Sequence, residues 1–216
     1  MIEPKHHLIL ALDVADFQLA AAIARDVGPY VDAIKIHWPI ILTRGVSAIE
    51  GLSRVAPVIV DAKLSDIPNT NRMACEIMAS SGAQGVICQG FAGPDSVKAC
   101  VETGLDTYVI AEMSHPGSQL FISKHSREIA SMARDIGAAG IIVPGNRPKK
   151  ISLYRGIVGP EMQILCPGIG AQGGVPGDAV AAGADFEIVG RAIYRSRDPS
   201  GSARSIADRI AQRVTQ

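Results

Sequence analysis

The sequence predicts an α/β fold, a single (β/α)8 barrel of the TIM-barrel architecture spanning residues 1–216 as one domain. Three observations predict it. Short β-branched apolar runs alternate with longer stretches of helical periodicity from end to end, which argues for a parallel sheet covered by helices. Eight such units fit into 216 residues, the compact end of the range for a closed barrel. Charged and glycine-rich segments follow the strands, at the rim where barrels of this kind carry their sites. A doubly wound open sheet is the competing architecture. It would usually show a GxGxxG turn after the first strand, and "LDVADF" has none.

In chain order, "LILALD" (8–13) reads as the first strand. Asp16 is placed as an N-cap, with Ala20, Ile23, Ala24 and Val27 at helical spacing before Gly28. "DAIKI" (32–36) is the second strand, and 39–52 its helix, with Pro39 suited to the first turn. "PVIVDAK" (57–63) is the third strand, followed by a helix to about Ser80 that closes on Gly82. "QGVICQ", "DTYVIAEM", "AGIIVPG", "MQILCPG" and "ADFEIVG" supply the remaining strands, each followed by a helical stretch. The closing helix covers 199–214, where Ala203, Ile206, Ala207, Ile210 and Val214 form one apolar stripe. Cys75 and Met78 sit at helical spacing and read as core, and Trp38 also reads as packing.

Composition narrows the function. The chain is 47% hydrophobic and 19% charged, values of an ordinary globular protein. Twenty-one basic side chains balance twenty-one acidic ones, and aromatics are only 4%. Neither a net field nor stacking platforms therefore favour nucleic acid. No apolar run approaches the roughly 18 residues of a membrane span. Four scattered cysteines without a CxxC pair point to free thiols in a cytoplasmic protein. Metal-ligand spacing such as HExxH is absent, and His6-His7 reads as a solvated lead into the first strand.

The chemistry concentrates in "VIVDAKLSDIPNTN" (58–71), a buried strand that ends in Asp61, Lys63 and Asp66. Buried charges are rare unless paired. Asp61 and Lys63 are two apart, so in a strand they share a face. A structural ion pair is the bland reading. Asp13 after strand one and Lys35 late in strand two bring alternating signs to the same rim, which favours a site. "PGIGAQGG" (167–174) can cradle an anion with glycine-exposed amides, and Arg191 after strand eight can grip phosphate bidentately. Ser114-His115-Pro116-Gly117 opens a loop able to close over a ligand, with His115 read as solvated.

"DAKLSDIPNT", together with "LALDV", "IKI", "EMSHPG", "PGIGAQGG" and "VGRAIY", resembles the orotidine 5'-phosphate decarboxylase family over nearly the whole chain. The D-x-K-x-x-D pattern alone is shared with sister sugar-phosphate enzymes. The "IPNT" continuation and the glutamine in "GIGAQGG" narrow the resemblance. It implies cofactor-free, metal-free decarboxylation of a nucleotide substrate to UMP, a step of pyrimidine biosynthesis. Lys63 would donate the proton to C6, Asp61 would face the substrate carboxylate, and Lys35 would complete the charged chain. Asp13 would hold ribose hydroxyls and Ser114 the base, Gln172, Gly190 and Arg191 would hold the phosphate, and Pro167 would also contact the substrate. Asp66, Ile67 and Thr70 would reach into the site of a second subunit in a homodimer. A small residue, often glycine, is expected where His37 stands. Two alternatives are a metal-dependent sugar-phosphate lyase of the same barrel superfamily and a barrel that binds nucleotide phosphate without turnover.

Overall fold

The computed structural model describes residues 1–170 and 172–214. Eight strands, β1 (Leu8–Leu12), β2 (Ala33–Ile36), β3 (Val58–Leu64), β4 (Gly85–Gln89), β5 (Asp106–Ile110), β6 (Gly140–Ile142), β7 (Gln163–Pro167) and β8 (Phe186–Val189), form a closed barrel in sequence order. All neighbours are parallel, and β8 returns to β1 through Leu8↔Glu187, Ile9↔Ile188 and Leu10↔Val189. The helices are α1 (Phe17–Val27), α2 (Trp38–Arg44), α3 (Ser47–Leu52), α4 (Pro68–Ser80), α5 (Pro94–Val101), α6 (Ser126–Ile136), α7 (Pro148–Val158), α8 (Asp178–Ala181), α9 (Arg191–Tyr194) and α10 (Pro199–Val214). The expected eightfold alternation is what the chain forms.

Alternation along each strand divides two apolar layers. On β1, Leu8, Leu10 and Leu12 join the layer beneath the helices, while Ile9 and Ala11 join the barrel interior. A strand buried on both faces needs apolar residues on both, which is why β1 is continuously hydrophobic. Helices supply the matching stripes: Asp16 caps α1 by accepting from the Gln18 and Leu19 amides, and Ala20, Ile23, Ala24 and Val27 are its buried residues.

The lower end of the barrel is closed by packing. Tyr108 is fully buried there and donates its hydroxyl to Gln163 Oε1 at 3.0 Å, while Gln163 Nε2 donates to the Ile2 carbonyl at 2.6 Å. Glycines on the two neighbouring strands leave room for the ring. A Cβ at Gly85 would lie 3.0 Å from Tyr108, and one at Gly140 would lie 2.9 Å from it.

Several expectations change. The helix read over 39–52 is two helices, because Gly45 adopts φ +67° and turns the chain between α2 and α3. Periodicity continues across that break, so only the backbone reveals it. Strand five stops at Ile110 rather than reaching Met113. Val214 ends α10 at 49% exposure, off the stripe that buries Ala203, Ile206, Ala207 and Ile210. Trp38, read as packing, is 42% exposed at the first turn of α2. Cys75 is buried as expected, and Met78 packs against the core. No helix among the described residues is long and apolar enough to cross a membrane.

The lower plug yields a test. Gly140→Ala places a methyl 2.5 Å from the Gln163 carbonyl oxygen and 2.9 Å from the Tyr108 ring, and overpacking of this kind costs about 1–3 kcal/mol. Gly156→Ala in α7 meets nothing within 4 Å and should stabilise by up to about 1 kcal/mol. Denaturant unfolding of the two variants checks this; equal stability would contradict the packing described.

Candidate active site

The upper end of the barrel is built around an irregularity in β3. Its pairing with β2 is regular up to Ile36↔Val60. Against β4 the register jumps from Val60↔Val86 to Leu64↔Cys88. Two steps on β4 (86 to 88) thus face four on β3 (60 to 64), so β3 carries two extra residues between them. Lys63, with φ +47°, sits in this bulge. A lysine in the left-handed region is uncommon and is held there by its surroundings. The bulge directs Asp61 and Lys63 together into the mouth, which simple strand alternation had suggested for a different reason.

Asp61 is the centre of the site. Its Oδ1 accepts from Lys63 Nζ at 2.7 Å and its Oδ2 from Lys35 Nζ at 3.0 Å. Lys35 Nζ also lies 3.8 Å from Asp13 Oδ1. The result is a chain of alternating charge, Asp13–Lys35–Asp61–Lys63, running across β1, β2 and β3. Burial alone would push the Asp61 pKa up, but Lys35 and Lys63 together outweigh it and hold the pKa below the usual carboxylate value. Asp61 is therefore ionised at neutral pH.

These residues face a cavity of about 220 Å³. Ile87, Ile110 and Ile142, the inward residues of β4, β5 and β6, make its opposite wall apolar. One side carries fixed charge and the other excludes water. Ser114, Pro167, Gln172, Gly190 and Arg191 complete the rim, so nine of the twelve residues singled out from the sequence line this one cavity.

The loop after β7 owes its shape to glycine. Gly168, Gly170, Gly173 and Gly177 all have positive φ, where other residues are strained. Gly170 N–H donates to the Gly174 carbonyl at 2.7 Å, which folds the loop back on itself. Buried Glu187 accepts the amides of Gly177 and Ala179 and ties the loop's far end to β8. Ser114 Oγ donates to Gln172 Oε1 at 2.8 Å, joining the loops after β5 and β7 across the mouth. Arg191 starts α9, a short helix not foreseen in the sequence, directly after Gly190. Ala171 lies outside the described residues.

Three expected site residues stand elsewhere. Asp66, Ile67 and Thr70 are exposed at the start of α4 and do not line the cavity. Asp66 Oδ1 accepts from the adjacent Ile67 amide at 2.7 Å and is not among the partners of Lys63. Within the chain it is Lys35, and not Lys63, that lies between two carboxylates.

Sequence reasoning missed Glu112. Its side chain is fully buried in the cavity wall and accepts from Arg147 at 2.7 Å, from Lys150, and from the Tyr154 hydroxyl at 2.7 Å. Burial opposes ionisation, but Lys150 and Tyr154 overcome it and lower its pKa. The signal was the basic "RPKK" after strand six, whose partner 35 or more residues upstream only the fold identifies. Among the described residues no group of three or more His, Cys, Asp or Glu side chains is placed to hold a metal ion.

Comparison with known proteins agrees with this architecture. Residues 6–206 match the model of the Orotidine 5'-phosphate decarboxylase / HUMPS family. The orotidine 5'-phosphate decarboxylase of Methanococcoides burtonii is 47% identical, over 97% of this chain and 99% of its own length. That of Thermococcus kodakarensis is 43% identical over 96% and 98%. The crystal structure of the Pyrococcus horikoshii OT3 enzyme superposes with a TM-score of 0.90 at 43% identity, covering 94% of this chain and 99% of that one. The Methanocaldococcus jannaschii enzyme, complexed with the inhibitor BMP, gives 0.89 at 36% identity, covering 94% and 97%. With a barrel mouth that carries the charge chain on β1 to β3 and a family match over nearly its full length, this chain belongs to the Orotidine 5'-phosphate decarboxylase / HUMPS family.

Proposed function

We propose that this barrel decarboxylates orotidine 5'-phosphate to UMP, with the chain Asp13–Lys35–Asp61–Lys63 as its reacting centre and residues 1–216 as one catalytic domain. The observation that carries the reading is the ammonium of Lys63 held 2.7 Å from Asp61 at the edge of a cavity whose far wall is apolar. Loss of CO2 from C6 breaks the C6–carboxylate bond and leaves its electron pair in an in-plane orbital. The ring carbonyls do not absorb that pair by resonance. A nearby positive charge must stabilise it, and Lys63 supplies both the charge and the proton that C6 takes up; solvent then reprotonates the lysine.

At about 4 Å and an effective dielectric near 20, one such contact is worth about 4 kcal/mol. That is roughly three decades of rate, against the roughly 23 kcal/mol of the most demanding enzymes. The rest comes from binding energy at a distance, used to close loops and remove water. Arg191, Gln172, Gly190 and Pro167 receive the phosphate side, Ser114 the base and Asp13 the ribose. Asp61, ionised, faces the substrate carboxylate. The reading requires no cofactor, and cytoplasmic location fits four buried free cysteines.

The site is shared in a homodimer. Asp66 is exposed and does not line its own cavity, yet its carbonyl is held by Ser96 Oγ at 2.8 Å and Asn71 Nδ2 at 3.3 Å, which fixes the turn. Beside it Ile67, Met73 and Ile77 are 66%, 55% and 54% exposed. Thr70, Met73 and Ile77 recur at helical spacing, which makes one face of α4. A second subunit laid on that face receives Asp66, Ile67 and Thr70 at its own mouth.

Four outcomes test this. Wild-type protein should consume orotidine 5'-phosphate, followed by ultraviolet absorbance, unimpaired by excess chelator, and Lys63→Ala should lose many decades of turnover while still binding UMP. Dependence on added magnesium would favour the metal-dependent reading, and a tenth of normal turnover in Lys63→Ala would remove its role as proton donor.

Arg191→Ala should weaken UMP binding by about 1.5–3 kcal/mol, the worth of a charge-assisted contact, and leave uridine binding unchanged. Equal losses would remove the phosphate assignment. Finally, Lys63→Ala and Asp66→Asn proteins, each nearly inactive alone, should recover substantial activity after subunit exchange, because one mixed site then holds both intact residues. Silent mixed dimers, confirmed by mass, would show that each chain supplies its own Asp66.

A further inference from the structure

His37 follows β2 directly, and its Nδ1 lies 2.6 Å from the backbone carbonyl oxygen of Asp61. The ladder between β2 and β3 explains why that carbonyl needs a donor. Ile34 N–H donates to the Pro57 carbonyl at 2.9 Å. Four residues further on each strand, the same register would set Trp38 N–H opposite the Asp61 carbonyl, but at Trp38 the chain has already turned into α2. On its other edge β3 is out of register with β4 between Val60 and Leu64. Asp61 therefore stands where the sheet loosens on both sides, although its carboxylate must meet two ammonium groups at 3.0 and 2.7 Å.

We infer that His37 is a positioning residue whose ring N–H replaces the missing rung of the sheet and holds the Asp61 main chain, and with it the carboxylate, between Lys35 and Lys63. The inference rests on the catalytic role proposed for Asp61. Carbonyl oxygen only accepts, so the ring proton resides on Nδ1. The ring is neutral: burial lowers its pKa, and although Asp61 works against this, Lys63 and Lys35 act with it.

The first test reads the proton directly. In protein labelled with 15N-histidine, the His37 ring, assigned by its loss in His37→Asn, should carry its proton on Nδ1 at pH 7–8. A proton on Nε2 overturns the inference whether or not the protein decarboxylates anything. The second test separates the hydrogen bond from bulk. Asparagine presents an N–H close to the Nδ1 position, whereas glutamine extends it beyond and alanine has none. His37→Ala and His37→Gln should lower kcat by about tenfold or more, since small displacements of reacting groups are costly, with KM within about twofold. His37→Asn should stay within about threefold of wild type in both. Equal losses in the Asn and Gln variants, or full activity in the Gln variant, overturn the assignment, and this pair decides even where the alanine variant does not fold.

Discussion

A carboxylate buried between two ammonium groups is the constraint on which this structure turns. Removing one partner from such a buried set leaves an uncompensated charge, which is strongly destabilising. Asp61, Lys35 and Lys63 are accordingly held by separate means: Lys35 within a regular strand, Asp61 at the start of a bulge, and Lys63 in a left-handed backbone conformation. Asp13 at the outer end leaves the chain neutral overall and keeps Lys35 engaged on both sides. Taking these charges out of water costs folding energy, which close pairing of opposite signs offsets.

The barrel separates support from chemistry along its axis. At the lower end, Tyr108 fits between two glycines and the Gln163–Ile2 contact closes the base. At the upper end the inward residue is charged on β2 and β3, Lys35 and Asp61, and is isoleucine on β4, β5 and β6, Ile87, Ile110 and Ile142. The resulting asymmetry matters electrostatically. Fixed charges act most strongly next to apolar surface, and here the charge chain on β1 to β3 faces the isoleucines of β4 to β6.

Loops finish the site by tying separate strands together. Ser114 and Gln172 connect the segments after β5 and β7, while Glu112 draws Arg147, Lys150 and Tyr154 onto the end of β5. Glu187 does the same for the glycine loop through amides of Gly177 and Ala179. Each link is a buried or rim polar group satisfied by a distant element, so the shape of the mouth depends on several strands remaining in register at once.

Much of this was legible in the sequence because the relevant signals are local. Short β-branched apolar runs, helical stripes and the Asp16 cap are properties of neighbouring residues, and they located all eight strands and the α1 face. Asp61, Lys63, Lys35 and Asp13 could be grouped because a parallel barrel brings the ends of successive strands to one rim. Backbone torsion and through-space pairing are different in kind. Gly45 breaks a helix whose side-chain pattern is unbroken, and the two extra residues of β3 appear only when β4 lies beside them. Asp66 lies outside the cavity, and its carbonyl is held by Ser96 and Asn71 from 30 and 5 residues further along the chain. Glu112 finds its cations 35 and 38 residues onward. Sequence by itself determined the strand order and so brought Asp13, Lys35, Asp61 and Lys63 to one rim; the closed barrel decided which residues touch there, because distances between strands are set by the ladder and its irregularities and not by separation along the chain.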